Sequence, residues 1–186
     1  MSSSVQVCHD AATLPARPVV AGWSMGGLLA MQAAASGIAH ACLALAPSAP
    51  ALARREGMPL GTGVFDASEY GIVSRDPDDQ PQMPDLDREE REVALASLAP
   101  ESRRARDERK AGVVIESCPV PLLVVTGSDD PDWGAEKFTN LHLDAERLDI
   151  PATSHWGLAL NRRALAQLGA PVLAWLARTN GTWEVN

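Results

Sequence analysis

Three positions of this 186-residue chain have the residue types to build a strong nucleophile together: Ser24, the pair Asp129-Asp130, and His155. A serine hydroxyl is a poor nucleophile alone. It needs an imidazole to take its proton, and the imidazole needs a carboxylate to fix its tautomer and stabilise its cation. The serine stands in Gly22-Trp23-Ser24-Met25-Gly26-Gly27, between the apolar run Val19-Val20-Ala21 and a second apolar run through Leu28, Leu29 and Met31. A strand that turns into a helix within one residue crowds its own backbone, and glycines at 22 and 26 are expected to remove Cβ atoms that would clash there. Ser24 is then expected in a strained backbone conformation with its hydroxyl projecting above the sheet edge. The first-turn N–H groups of the following helix have no intrahelical acceptor and sit at the positive end of its dipole, so an oxyanion formed beside Ser24 meets donors.

The elements that must position these residues alternate between strand and helix. Arg17 to Trp23 reads as a buried parallel strand because its apolar run is continuous, and Ala41 to Ala46 and Val120 to Thr126 read alike. Ala145 to Ile150 is a fourth strand. Helical composition follows Ser24 as far as Ala35, spans Trp133 to Leu143, and returns over Leu158 to Leu168 and Pro171 to Arg178, with Pro171 placed at a helix start. A weak helical segment precedes the first strand, over Val5 to Pro15. Such alternation predicts a parallel sheet with helices on both faces, whose functional groups collect beyond the carboxyl ends of the strands. Ser24, Asp129-Asp130 and His155 all fall at or just past such ends.

Between the second and third strands the composition changes to proline, glycine and acid, from Ser48 to about Pro84. A stretch this long inside a compact domain predicts a lid or binding loop, with disorder as the alternative. It contains an apolar patch of Val64, Phe65, Tyr70, Ile72 and Val73. Asp87 with Glu90 three positions on predicts a capped helix start. A second charged helix follows Pro100, and its arginines read as a solvated face laced with helix-spaced carboxylates.

Bulk properties exclude several functions. A net charge of −8 leaves no basic surface to displace counterions from a nucleic acid. Cys8, Cys42 and Cys118 are odd in number and widely spaced, so they predict neither a disulfide framework nor a zinc site but free thiols in a reducing, cytoplasmic setting. No stretch has signal-peptide or membrane-span character, and no cofactor motif is present. Of the four histidines, His9, His40 and His142 read as surface or helix-end residues.

From about Arg17 to Ala177 the chain resembles the C-terminal part of an α/β-hydrolase, on the Gly22-to-Gly27 elbow, the Leu122-to-Pro131 strand and acid turn, and the Ser154-His155-Trp156 loop. The resemblance implies a truncated α/β fold with about four of the usual eight strands, in a single domain over 1–186 with a cap or lid over 51–110. It implies a Ser24-Asp130-His155 triad, with Asp130 preferred to Asp129 by its distance from Gly127, and the Met25 N–H as one oxyanion donor. Trp23 and Trp156 flank the nucleophile and the base, as core packing or as pocket wall. Phe65 and Tyr70 are further pocket candidates.

Members of this family carry further strands, and the loop holding a second oxyanion donor, ahead of the elbow. Here Ser24 comes almost at once, which predicts an apolar sheet edge left unpaired at the first strand. A start internal to a longer reading frame is the favoured explanation; pairing of that edge with a second copy, or a degenerate fragment, are the others. Two functions follow: a serine hydrolase of a carboxylic ester, thioester or lactone with an apolar acyl group, or a non-catalytic binding or scaffold protein on the same fold.

Overall fold

The structure, a computed structural model, describes residues 9, 10, 13–139 and 142–180. Cys8 and most of the helical segment expected over 5–15 lie outside the described residues. Strand β1 (Val19–Trp23) leads into helix α1 (Met25–Ala35) and strand β2 (Ala41–Leu45). The chain then makes a long excursion containing a two-residue strand β3 (Val64–Phe65), helix α2 (Arg88–Ser97), a second two-residue strand β4 (Glu101–Ser102) and helix α3 (Arg103–Ala111). It returns as strands β5 (Leu122–Gly127) and β6 (Glu146–Ile150), and ends in helices α4 (Gly157–Leu160) and α5 (Arg162–Asn180).

Four of these strands form one parallel sheet in the order β1-β2-β5-β6. Successive side chains of a strand point to opposite faces, and both faces are covered. Cys42, Ala44, Leu122 and Val124 pack against Leu28, Met31 and Ala34 of α1. Ala41, Leu123, Val125 and Ile150 pack against Leu158 of α4 and Ala164, Leu168 and Trp175 of α5. Double coverage is the reason the central strands read as unbroken apolar runs. β1 has only one neighbour among the described residues, so it is an edge strand, and Val19 is 42% exposed where a buried strand was expected.

The helices depart from expectation in two places. Among the described residues of Trp133 to Leu143, only a 3₁₀ turn over Ala135–Phe138 forms, and Phe138 lies in the core beside α1. The last helical region breaks at Asn161, not before Pro171. Asn161 has extended backbone, and its Oδ1 accepts from the N–H groups of Arg163 (2.9 Å) and Ala164 (3.1 Å), capping α5. Pro171 lies inside α5, where it removes one backbone donor. Burial of Trp175 and Leu168 on either side of it keeps the helix continuous.

The excursion has its own small core of Ala67, Ile72, Met83, Leu86, Ala94 and Leu95. At the start of α2 the expected capping box forms: Asp87 accepts from the Glu90 N–H and Glu90 accepts from the Asp87 N–H, each at 2.9 Å. Arg103 and Arg106 of α3 pair with Glu69, and Arg104 with Glu108.

β1 and α1 meet with no room between them at Gly22, where an added Cβ would stand 2.1 Å from the Gly26 carbonyl oxygen. Gly26 is in open space, with nothing within 4 Å of such an atom, so the crowding expected at both glycines exists at the first alone. Gly22→Ala is therefore expected to destabilise the fold by about 3 kcal/mol or more, and Gly26→Ala by less than about 0.5 kcal/mol. Urea unfolding of the two variants beside wild type checks the contrast.

Candidate active site

Ser24 has φ 57° and ψ −124°, a conformation that an L-residue adopts only under constraint. Four hydrogen bonds supply the constraint: the Ser24 N–H donates to Leu45 O (2.9 Å), and its carbonyl accepts from the N–H groups of Gly27 (3.0 Å), Leu28 (3.3 Å) and Ser48 (3.0 Å). The end of β2 thus holds the corner between β1 and α1. The N–H groups of Met25 and Gly26 bond to no acceptor among the described residues, and both residues line the same cavity as Ser24.

His155 lies in the loop between β6 and α4, four-fifths buried, with Nδ1 2.7 Å from Asp130 Oδ2. Asp130 sits in the turn after β5. Its other oxygen accepts from the N–H groups of Asp132 and Trp133, each at 2.9 Å. Burial pushes this carboxyl up, but the His155 hydrogen bond and the two backbone donors outweigh it and hold it below the ordinary aspartate value. Asp129, by contrast, is exposed and accepts from the Ser128 hydroxyl at 2.8 Å. The carboxylate that reaches the imidazole is therefore Asp130.

Trp23 crosses from β1 to the histidine loop. Its Nε1 donates to the His155 carbonyl at 2.9 Å, and its ring lies 4.9 Å from the imidazole and 4.8 Å from Trp156. Ser24 and His155 open on one cavity of about 760 Å³. Trp23 and Trp156 line it, and Tyr70, Ile72 and Leu98 line it from the excursion. No hydrogen bond joins Ser24 Oγ to the imidazole in this structure. Phe65, expected in the pocket, is not part of its wall. Its ring is buried between Tyr70, edge-on at 4.9 Å, and the Arg106 guanidinium at 4.6 Å, on the short strand that pairs with β4.

Four further residues at or beside this site escaped the sequence reading: Ser48, Asp85, Arg109 and Trp133. Ser48 and Trp133 line the cavity, as does Arg109, whose guanidinium lies 5.9 Å from the Trp133 ring centroid. Arg103, Arg106 and Arg109 recur every third position, one face of a helix, and that spacing was the available signal. Asp85 touches the histidine loop from the excursion and carried none. Of the other histidines, His142 bonds through Nε2 to the Ile115 carbonyl at 2.6 Å. Burial pushes the Cys42 thiol up to about 12, which leaves it a packing residue. Among the described residues no cluster of His, Cys, Asp and Glu could hold a metal, and no helix is long and apolar enough to cross a membrane.

A parallel sheet with an elbow serine, an aspartate turn and a histidine loop at successive strand ends defines an α/β-hydrolase fold. The model of the alpha/beta hydrolase family matches residues 3–168, and the chain belongs to that family. Solved structures agree on the fold. Polyneuridine aldehyde esterase superposes with a TM-score of 0.60 at 14% identity, covering 89% of this chain and 76% of that one. Est1E from Butyrivibrio proteoclasticus gives 0.57 at 21% identity, over 96% and 68%. The monoacylglycerol lipase of Paleococcus ferrophilus gives 0.59 at 16%, over 95% and 74%. No match was found among curated proteins.

The lowered pKa of Asp130 has a defined consequence for stability. The unfolded chain binds this proton more readily than the folded one, so the stabilisation is fully present above about pH 4 and is lost as pH falls through the lower folded value. The stability difference between wild type and Asp130→Asn should therefore be larger at pH 6 than at pH 3. Urea titrations of both proteins at the two pH values measure it, and a pH-independent difference would contradict the assignment.

Proposed function

We propose that this chain is a serine hydrolase that cleaves a carboxylic ester, thioester or lactone through an acyl-enzyme on Ser24. The observation that carries this reading is the 2.7 Å bond between His155 Nδ1 and a buried Asp130, on a cavity that also holds Ser24 in its strained corner. Asp130 keeps the proton on Nδ1, which leaves Nε2 as the base. Ser24 Oγ attacks the acyl carbon as its proton passes to His155 Nε2, and the carbonyl oxygen becomes an oxyanion beside the Met25 N–H. Collapse of the adduct breaks the bond to the leaving alcohol or thiol, which takes the proton from His155. A water then gives its proton to His155 and attacks the acyl carbon. The bond to Ser24 Oγ breaks, His155 returns the proton to the serine, and the acid leaves.

Five apolar or aromatic residues of the walls, Trp23, Trp156, Tyr70, Ile72 and Leu98, support an apolar acyl group. The excursion over 51–110 acts as the cap that excludes water from it. Esterases and a lipase among the structural neighbours fit this reading at the level of fold.

One observation favours the competing reading of a non-catalytic binding protein: Ser24 Oγ makes no hydrogen bond to His155. Such contacts are often long in ligand-free sites and tighten only with substrate.

Turnover of p-nitrophenyl esters and labelling by a fluorophosphonate separate the two readings. The hydrolase is expected to turn over the esters, to carry the label on Ser24, and to lose both in Ser24→Ala. Asp130→Asn should lower kcat by about 10⁴ through the wrong imidazole tautomer. Folded wild-type protein that neither labels nor turns over an ester would establish the binding reading instead.

A further inference from the structure

The histidine loop is held from two sides, and only one of them is the sheet. Opposite the sheet stands Asp85, in the excursion just ahead of α2. Its Oδ2 accepts from the Ser154 N–H at 3.1 Å, the peptide immediately before His155. Two residues after His155, Gly157 packs against the same oxygen so closely that an added Cβ would lie 1.9 Å from it. Between these contacts, the Ser154 hydroxyl accepts from the Gly157 N–H at 3.1 Å and closes the loop on itself. The Asp85 backbone carbonyl accepts from the Asn161 side-chain amide, and Glu90 Oε1 accepts from the Arg162 N–H at 2.8 Å. The flanking Met83 and Leu86 are buried and pack with Trp156.

Asp85 is costly as mere cement. Its Oδ1 is buried without a hydrogen-bond partner, and an unsatisfied carboxylate oxygen in the interior opposes folding. An apolar side chain in the same place would bury without that penalty, but it could not accept the Ser154 N–H. The feature that only a carbonyl-type oxygen supplies is the orientation of the peptide that carries the imidazole.

We propose that Asp85 is a positioning residue for His155: by accepting the Ser154 N–H and seating against Gly157, it fixes the backbone from which the imidazole reaches both Asp130 and the cavity. The base and the excursion above it then move as one unit. This inference rests on the reading of His155 as the base, and its consequences fall on kcat. A loop free to shift by an ångström misplaces the imidazole between Ser24 and Asp130, and misplacements of that size cost about tenfold to a hundredfold in rate.

The test uses Asp85→Ala, Asp85→Asn, Gly157→Ala and the Asp85→Ala/Gly157→Ala double variant, with folding followed by circular dichroism. Asp85→Ala is expected to lower kcat for a p-nitrophenyl ester about tenfold or more, with KM changed less than about threefold. Asp85→Asn keeps an amide oxygen for the Ser154 N–H and should recover most of the loss. Gly157→Ala reaches the same contact from the other side and should match Asp85→Ala. The double variant should be no worse than the poorer single one, because removing the carboxylate removes the clash. The second readout needs no turnover: the downfield proton resonance of His155 Nδ1–H should be sharp in wild type and broadened or lost in Asp85→Ala. Wild-type kcat in folded Asp85→Ala, a loss confined to KM, or a resonance alike in wild type and variant overturns the inference. Wild type that is inert toward esters and fluorophosphonate sinks the hydrolase reading instead, and the resonance still decides the positioning claim.

Discussion

The corner at Ser24 is the constraint on which the rest of the structure depends. A serine at φ 57° costs about 1–3 kcal/mol and persists only where its surroundings over-determine it. Here they do. The Ser24 N–H reaches Leu45 at the end of β2, and its carbonyl is gripped by Gly27 within α1 and by Ser48 beyond β2. Those bonds exist only if β1 and β2 pair in parallel with Trp23 opposite Leu45. They also require α1 to lie against β1 at the glycine that admits it. The sheet register, the burial of α1 on one face and the exposure of the serine are therefore one arrangement seen at three scales.

The other two members of the constellation are held by a second set of crossings, at the far end of the sheet. The β5–β6 register sets Gly127 opposite Ile150, and the loops beyond are stitched by Ser128 N–H to the Ile150 carbonyl and Asp129 N–H to the Thr153 carbonyl. Asp130 can stay charged in the interior because every oxygen is used: one by His155, the other by two backbone donors. Trp23 then joins the two ends, donating from the serine's strand to the histidine's carbonyl. Burial, hydrogen bonding and aromatic packing converge on the histidine loop from β1, from the turn after β5 and from the excursion.

The excursion supplies what a four-stranded sheet cannot. It carries its own apolar cluster, shares it with Trp156 and Leu160 of the histidine loop and α4, and lines the cavity beside Ser24 with Tyr70, Ile72 and Leu98. Its charged helix is divided by function: Arg103 and Arg106 lock Glu69, while Arg109 lines the cavity beside Trp133. In the sequence these arginines look alike, and only packing separates them.

Local pattern alone determined the elbow, the Asp87–Glu90 cap, the four strands of the parallel sheet to within a residue or two, and the order serine, aspartate, histidine along the strand ends. Each depends on neighbours a few positions apart, which the chain spells out directly. Where a residue's role depends on a partner far along the chain, the sequence left it open. The resemblance already preferred Asp130 to Asp129, whereas Phe65, expected in the pocket, is interior between Tyr70 and Arg106. Pro171 stays inside a helix because Trp175 beyond it is buried. Asp85 touches Ser154 across 69 positions of chain, with no pattern in its own neighbourhood to announce it. Such contacts are fixed by register and packing, and these exist only once the sheet, the helices and the excursion have closed on one another.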